Sequence, residues 1–178
     1  GRRPRAPCLT AALVNGVAGH AAELDDVHEE SIIHPAAPVL PSALAAAERF
    51  DASGVDFLTG VVLGYEAELR IGSAVMPSHY RFWHPTGTCG TFGATAAAGF
   101  IAGLSAEEML NAFGISGTQA SGLIETFGTM SKPLNPGKAA MSGLLSVLLA
   151  EKGYTGPASV LDSPRGFVRA TSESAQLE

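Results

Sequence analysis

TCGTFGATAAAGFIAGL, residues 88–104, is the stretch on which the fold turns. It is uncharged, and Gly90, Gly93 and Gly99 are interleaved with Ala94, Ala96, Ala97 and Ala98. Such a segment reads as a helix of small side chains that lets its neighbours approach closely. In a soluble chain it belongs in a tight interior or at a subunit contact. Immediately after it, Ser105-Ala106-Glu107-Glu108 is a capping box. There a Ser side chain and an acid three residues on satisfy each other's backbone N–H groups, opening a helix through Met109, Leu110, Phe113 and Ile115.

The same logic extends in both directions. Ser53 with Asp56 is a capping box built on the shorter acid, and Phe57, Leu58, Val61, Val62, Tyr65 and Leu69 follow at helical spacing. Val39 to Phe50 reads as an Ala-rich helix with Pro41 near its start, and Cys8 to about Leu24 as a helix buried on most sides. Downstream, Ala139 to about Lys152 reads as a helix stopped by Gly153. Asp25 to Pro38 and Met76 to Gly87 lack periodicity and read as irregular. With no strand, repeat or low-complexity linker, the class is all-α: one multi-helix domain over residues 1–168, then a polar tail over 169–178 expected to be disordered.

Composition narrows the function classes. Of 178 residues, 46% are hydrophobic and 16% charged, so much of the chain belongs inside something. A net charge of −6 argues against a nucleic-acid surface, and the only basic cluster is Arg2, Arg3 and Arg5. No 18-residue apolar run is free of Gly or charge, which argues against a transmembrane span, and the start does not read as a signal peptide. Two cysteines, Cys8 and Cys89, stand in no paired or metal-like spacing; they fit small core residues in a reducing, cytoplasmic compartment. The start without Met and the polar end are both expected of a truncated or processed chain.

Reactive side chains gather in three irregular stretches at helix ends. The first runs from His20 through Glu23, Asp25, Asp26 and His28 to His34-Pro35. Carboxylates and imidazoles this dense are solvated, paired with one another, bound to a metal, or lining a polar site, because burying them unpaired is costly. Composition alone favours a solvated capping loop, and the spacing matches no specific metal motif. In the second, His84 sits among Arg81, Phe82, Trp83, Pro85, Thr86 and Gly87, where a dry setting would tune an imidazole for acid/base work. A His that merely caps or packs is the plainer alternative. The third carries Lys132 and Lys138 among Pro and Gly at a helix start, a setting that favours an anion, against the plainer reading of a surface lysine pair.

Taken in order, these motifs resemble the MmgE/PrpD family over nearly the whole chain. The resemblance rests on Asn15-Gly16, His20, Glu23-Leu24-Asp25-Asp26, His34-Pro35, Gly64-Tyr65-Glu66, His84-Pro85-Thr86, Thr91-Phe92-Gly93-Ala94, Asn111-Ala112-Phe113-Gly114, Ser121-Gly122-Leu123, Lys132 with Gly137, and Gly153-Tyr154-Thr155-Gly156-Pro157. It implies a helical domain whose α/β lid is absent from this chain, in a homodimeric lyase or isomerase of small polycarboxylates such as 2-methylcitrate dehydratase or cis-aconitate decarboxylase, with no metal and no cofactor. It also implies catalytic roles for His84, His34 and Lys132, with Asp25, Asp26, Glu23, Thr86 and Lys138 binding substrate. In the first hypothesis a proton is abstracted beside a carboxylate and water or carbon dioxide is lost, or the centre is epimerised. The alternative is a non-catalytic helical dimerisation or ligand-binding module derived from the family. Two departures stand out: the acidic loop, usually Asp-Phe-Asp-Asp-Thr, reads Glu23-Leu24-Asp25-Asp26-Val27, and Asn135 replaces a His that many members carry three residues after the lysine.

Overall fold

A computed structural model of the chain describes residues 5–176 and contains seven α-helices: α1 Cys8–His20, α2 Ala36–Phe50, α3 Gly54–Val75, α4 Pro85–Ile101, α5 Ala106–Gly117, α6 Leu134–Glu151 and α7 Phe167–Thr171. There is no strand among the described residues, only isolated bridges pairing His28 with Ile33 and Trp83 with Leu123. The class is all-α.

The small-residue segment is the central helix, α4. Every residue in it except Phe100 is buried. It packs against α2, α3, α5 and α6, while α1 lies across α6 and α2. Close approach explains the glycines: a methyl at Gly93 would sit 2.7 Å from Glu68 Cβ and 2.9 Å from the Gly64 carbonyl of α3. Around α4, Val39, Ala43, Leu144 and Val147 form one apolar core, and Ile33, Val75, Phe92, Phe167 and Val168 form a second.

Both capping boxes are present, with Ser53 answering Asp56 and Ser105 answering Glu108. Helix starts elsewhere differ from expectation. α2 begins at Ala36 and takes in Pro38, α4 begins at Pro85, and α6 begins at Leu134 and takes in Pro136. In each case a proline that reads as loop lies in the first helical turn, where its missing N–H removes no intrahelical bond. α1 ends at His20, short of Leu24, and Ser78–Arg81 forms a 3-10 turn inside the irregular stretch.

The polar end also differs from the expected tail over residues 169–176. Arg169 to Thr171 belong to α7, Ser174 N–H donates to Ser78 Oγ at 3.0 Å, and Gln176 N–H donates to the Ala74 carbonyl at 2.8 Å. The basic pair Arg2 and Arg3, and the last two tail residues Leu177 and Glu178, lie outside the described residues.

Candidate active site

The loop between α1 and α2 is pinned by two adjacent aspartates, Asp25 and Asp26. Asp26 Oδ1 accepts from Ala36 N–H at 3.0 Å, capping α2, and its Oδ2 accepts from Tyr65 O–H of α3 at 2.8 Å. Burial and the hydrogen bond to Asp26 push the Tyr65 phenol upward, keeping it a donor. The loop turns through left-handed Glu23 (φ 51) and Ile32 (φ 52), two non-glycine residues.

Asp25 points the other way, inward. Its Oδ2 is 2.7 Å from His20 Nδ1, its Oδ1 is 3.6 Å from His34 Nδ1, and only 8% of its side chain is exposed. His20, at the end of α1, is fully buried, while 21% of the His34 side chain reaches solvent. The imidazoles lie side by side: the His20 ring centre is 4.8 Å from that of His34 and 5.8 Å from that of His84.

His84 enters as the residue before α4. Its N–H donates to the Gly122 carbonyl at 3.0 Å, and Asn135 Nδ2 lies 3.1 Å from its Nδ1. An amide N–H donates, so Nδ1 accepts and the ring proton belongs on Nε2. Asn135 spends its other N–H on Thr126 Oγ1 at 3.0 Å. Burial pushes His84 down to about 3, with the neighbouring His20, Lys132 and His34 charges adding to it. The ring is therefore neutral at pH 7.

Lys132 precedes α6 and is almost buried. Its Nζ is 2.8 Å from Glu23 Oε1 and 4.8 Å from the centre of the Phe127 ring, whose edge-to-face contact with His84 spans 4.9 Å between ring centres. Glu23 is held below the usual carboxylate range by its hydrogen bond and charge contact with Lys132.

The structure thus brings His34, His84, Lys132, Glu23 and Asp25 to one place. The other residues singled out in the sequence support that place from behind. Asp26 is committed to α2 and Tyr65. Thr86 is fully buried and accepts the His34 N–H through Oγ1 at 3.2 Å. Lys138 Nζ donates to the Gln119 carbonyl at 2.7 Å and to Ser121 Oγ, bracing the segment that holds the His84 backbone, and its burial lowers its pKa. His20, Asn135 and Phe127 were not singled out as site residues. His20 carried a signal, a histidine five residues before Asp25 at a helix end; Phe127 carried none. A surface cavity lined in part by Val160, Arg165 and Phe167 includes no histidine or carboxylate.

The MmgE/PrpD N-terminal domain matches residues 1–178. This chain belongs to the MmgE/PrpD family. Among curated relatives, it is 37% identical over 170 residues to a cis-aconitate decarboxylase of Aspergillus terreus, a match that covers 90% of this chain and 35% of the relative. It is 38% identical over 166 residues to the cis-aconitate decarboxylase-like protein oryM of Aspergillus oryzae, covering 88% of this chain and 34% of that one. To human cis-aconitate decarboxylase it is 35% identical over 172 residues, covering 92% and 35%. The MmgE/PrpD chain described here therefore spans about a third of the length of the curated relatives it matches. Among its described residues, no helix is long and apolar enough to cross a membrane.

Proposed function

We propose that this chain supplies the helical wall of an active site in a lyase or isomerase of small polycarboxylic acids, where a proton moves to or from a carbon beside a carboxylate. The observation that carries the reading is the meeting of His34, His84 and Lys132 from three separate segments around Asp25. His34, partly exposed and 3.6 Å from the Asp25 carboxyl, is suited to exchange the proton. His84, neutral with its proton on Nε2, is suited to donate a hydrogen bond to an oxygen that gains electron density. Lys132 offsets the charge of a bound carboxylate and of the carbanion-like transition state. Decarboxylation, named in the relatives, leaves an electron pair on carbon that an acid must protonate. Dehydration begins by removing a proton and ends by protonating the departing hydroxyl. The same groups serve either order, and a cytoplasmic homodimer with 2-methylcitrate dehydratase-like or decarboxylase chemistry belongs to the same reading.

The test is proton NMR of the full-length protein in deuterated water with a panel of di- and tricarboxylates. The expected result is deuterium uptake at carbon, or loss of water or carbon dioxide, falling roughly 100-fold or more in His34→Ala and His84→Ala. A folded protein inert toward the whole panel would point instead to the ligand-binding or dimerisation module.

A further inference from the structure

Three buried atoms, one from the end of α1 and two from the loop that joins it to α2, have no hydrogen-bond partner among the described residues: His20 Nε2, Asp25 Oδ1 and His34 Nδ1. They belong to three residues each of which brings a potential donor atom within 4.8 Å of the others. His34 Nδ1 and Asp25 Oδ1 are 3.6 Å apart, too far for a hydrogen bond. Two atoms bound to one tetrahedral ion at about 2.0–2.2 Å stand roughly 3.3–3.6 Å apart, so the gap has the width of a shared ion. The His20 Nδ1 contact with Asp25 Oδ2 at 2.7 Å fixes the ring and leaves Nε2 free, as outer contacts do for metal-binding imidazoles.

We propose that His20, Asp25 and His34 form a binding site for a divalent first-row transition ion such as Zn2+ or Co2+, and that the ion inhibits the enzyme. Two imidazoles and one carboxylate favour these ions over Mg2+ and Ca2+, which take oxygen ligands. Three protein ligands leave a coordination position open to water or to a carboxylate. The ion reaches the site from the side of His34, the one of the three with an appreciably exposed side chain. The charge balance is favourable, since the site brings a carboxyl group and the nearby Lys132 is already offset by Glu23. Once bound, the ion holds the lone pair that His34 needs to accept a proton. The inhibitory half rests on the function proposed above; the binding half does not.

The experiment adds Co2+ to the full-length protein without substrate and follows visible absorption. One equivalent per chain is expected, with bands of a four- or five-coordinate ion that Zn2+ abolishes, and binding weakened roughly tenfold or more in His34→Ala and Asp25→Asn. The absence of such bands with folded protein overturns the site, as does unchanged affinity in His34→Ala, a partly exposed position chosen because its loss leaves the fold intact by circular dichroism. Turnover falling in step with Zn2+ occupancy supports the inhibitory half, and unchanged turnover of loaded protein overturns it. Because binding is read without substrate, its failure leaves the lyase reading untouched, and an inactive protein leaves the site untouched.

Discussion

Two imidazoles carry an acid sensitivity in the fold. His79 is fully buried between Thr88 Oγ1 at 2.8 Å and the Thr171 carbonyl at 3.2 Å, and burial pushes it down to about 4, as it pushes His84 to about 3. Both are neutral in the folded protein near pH 7 and titrate near the ordinary histidine value of 6.5 when unfolded. The unfolded chain therefore binds more protons below that pH, and stability falls as pH drops through it. Between pH 7.5 and pH 5, urea denaturation should show a loss of roughly 2 kcal/mol per histidine, and His79→Gln should remove about half of that slope. The positions of His34, His84 and Lys132 were legible because each stands in a short ordered motif. The Asn135 amide that fixes the His84 tautomer was not, since it arrives from 51 residues away and, in sequence, reads only as a lost histidine.

At the scale of elements, patterning revealed which segments are helical far better than where they begin. Capping boxes at Ser53 and Ser105 are local chemistry and could be read directly; the starts of α2, α4 and α6 were obscured by prolines placed where a helix tolerates them. The α3–α4 contact hides a further feature. Glu68 is fully buried with both carboxyl oxygens unpartnered, facing Gly90 and Gly93, and desolvation, then the Asp26 charge, holds its pKa well above the usual range. A group protonated when folded stabilises fully below its unfolded pKa near 4.5, and that contribution declines as pH rises above it. Denaturation at pH 5 and pH 8 should show this as a difference: relative to Glu68→Gln, the parent loses stability between the two pH values, against the opposite trend of the two histidines. Gly93→Ala, which drives a methyl against α3 backbone, should cost about 1–3 kcal/mol in the same assay.

Across the whole molecule, the last described residues reach back to the turn that leads into His84. Ser78 Oγ accepts from Glu173 N–H at 2.8 Å and from Ser174 N–H at 3.0 Å, joining segments some 95 residues apart. A polar run such as 172–174 carries no hydrophobic signal, so its docking could not be read from sequence. Ser78→Ala should speed hydrogen exchange at the Glu173 and Ser174 amides by about fivefold, an effect of roughly 1 kcal/mol, while amides in the centre of α4 keep their protection. A last consequence follows from the ion pair of Lys132 with Glu23. The ammonium already has a tenant, so if Lys132 receives a substrate carboxylate as proposed above, the newcomer must first evict Glu23. Glu23, more than half exposed, can swing into water, making capture a swap of one anion for another. The site would then discriminate by the difference between two carboxylates, and an uncharged amide analogue would lack the means to displace the incumbent.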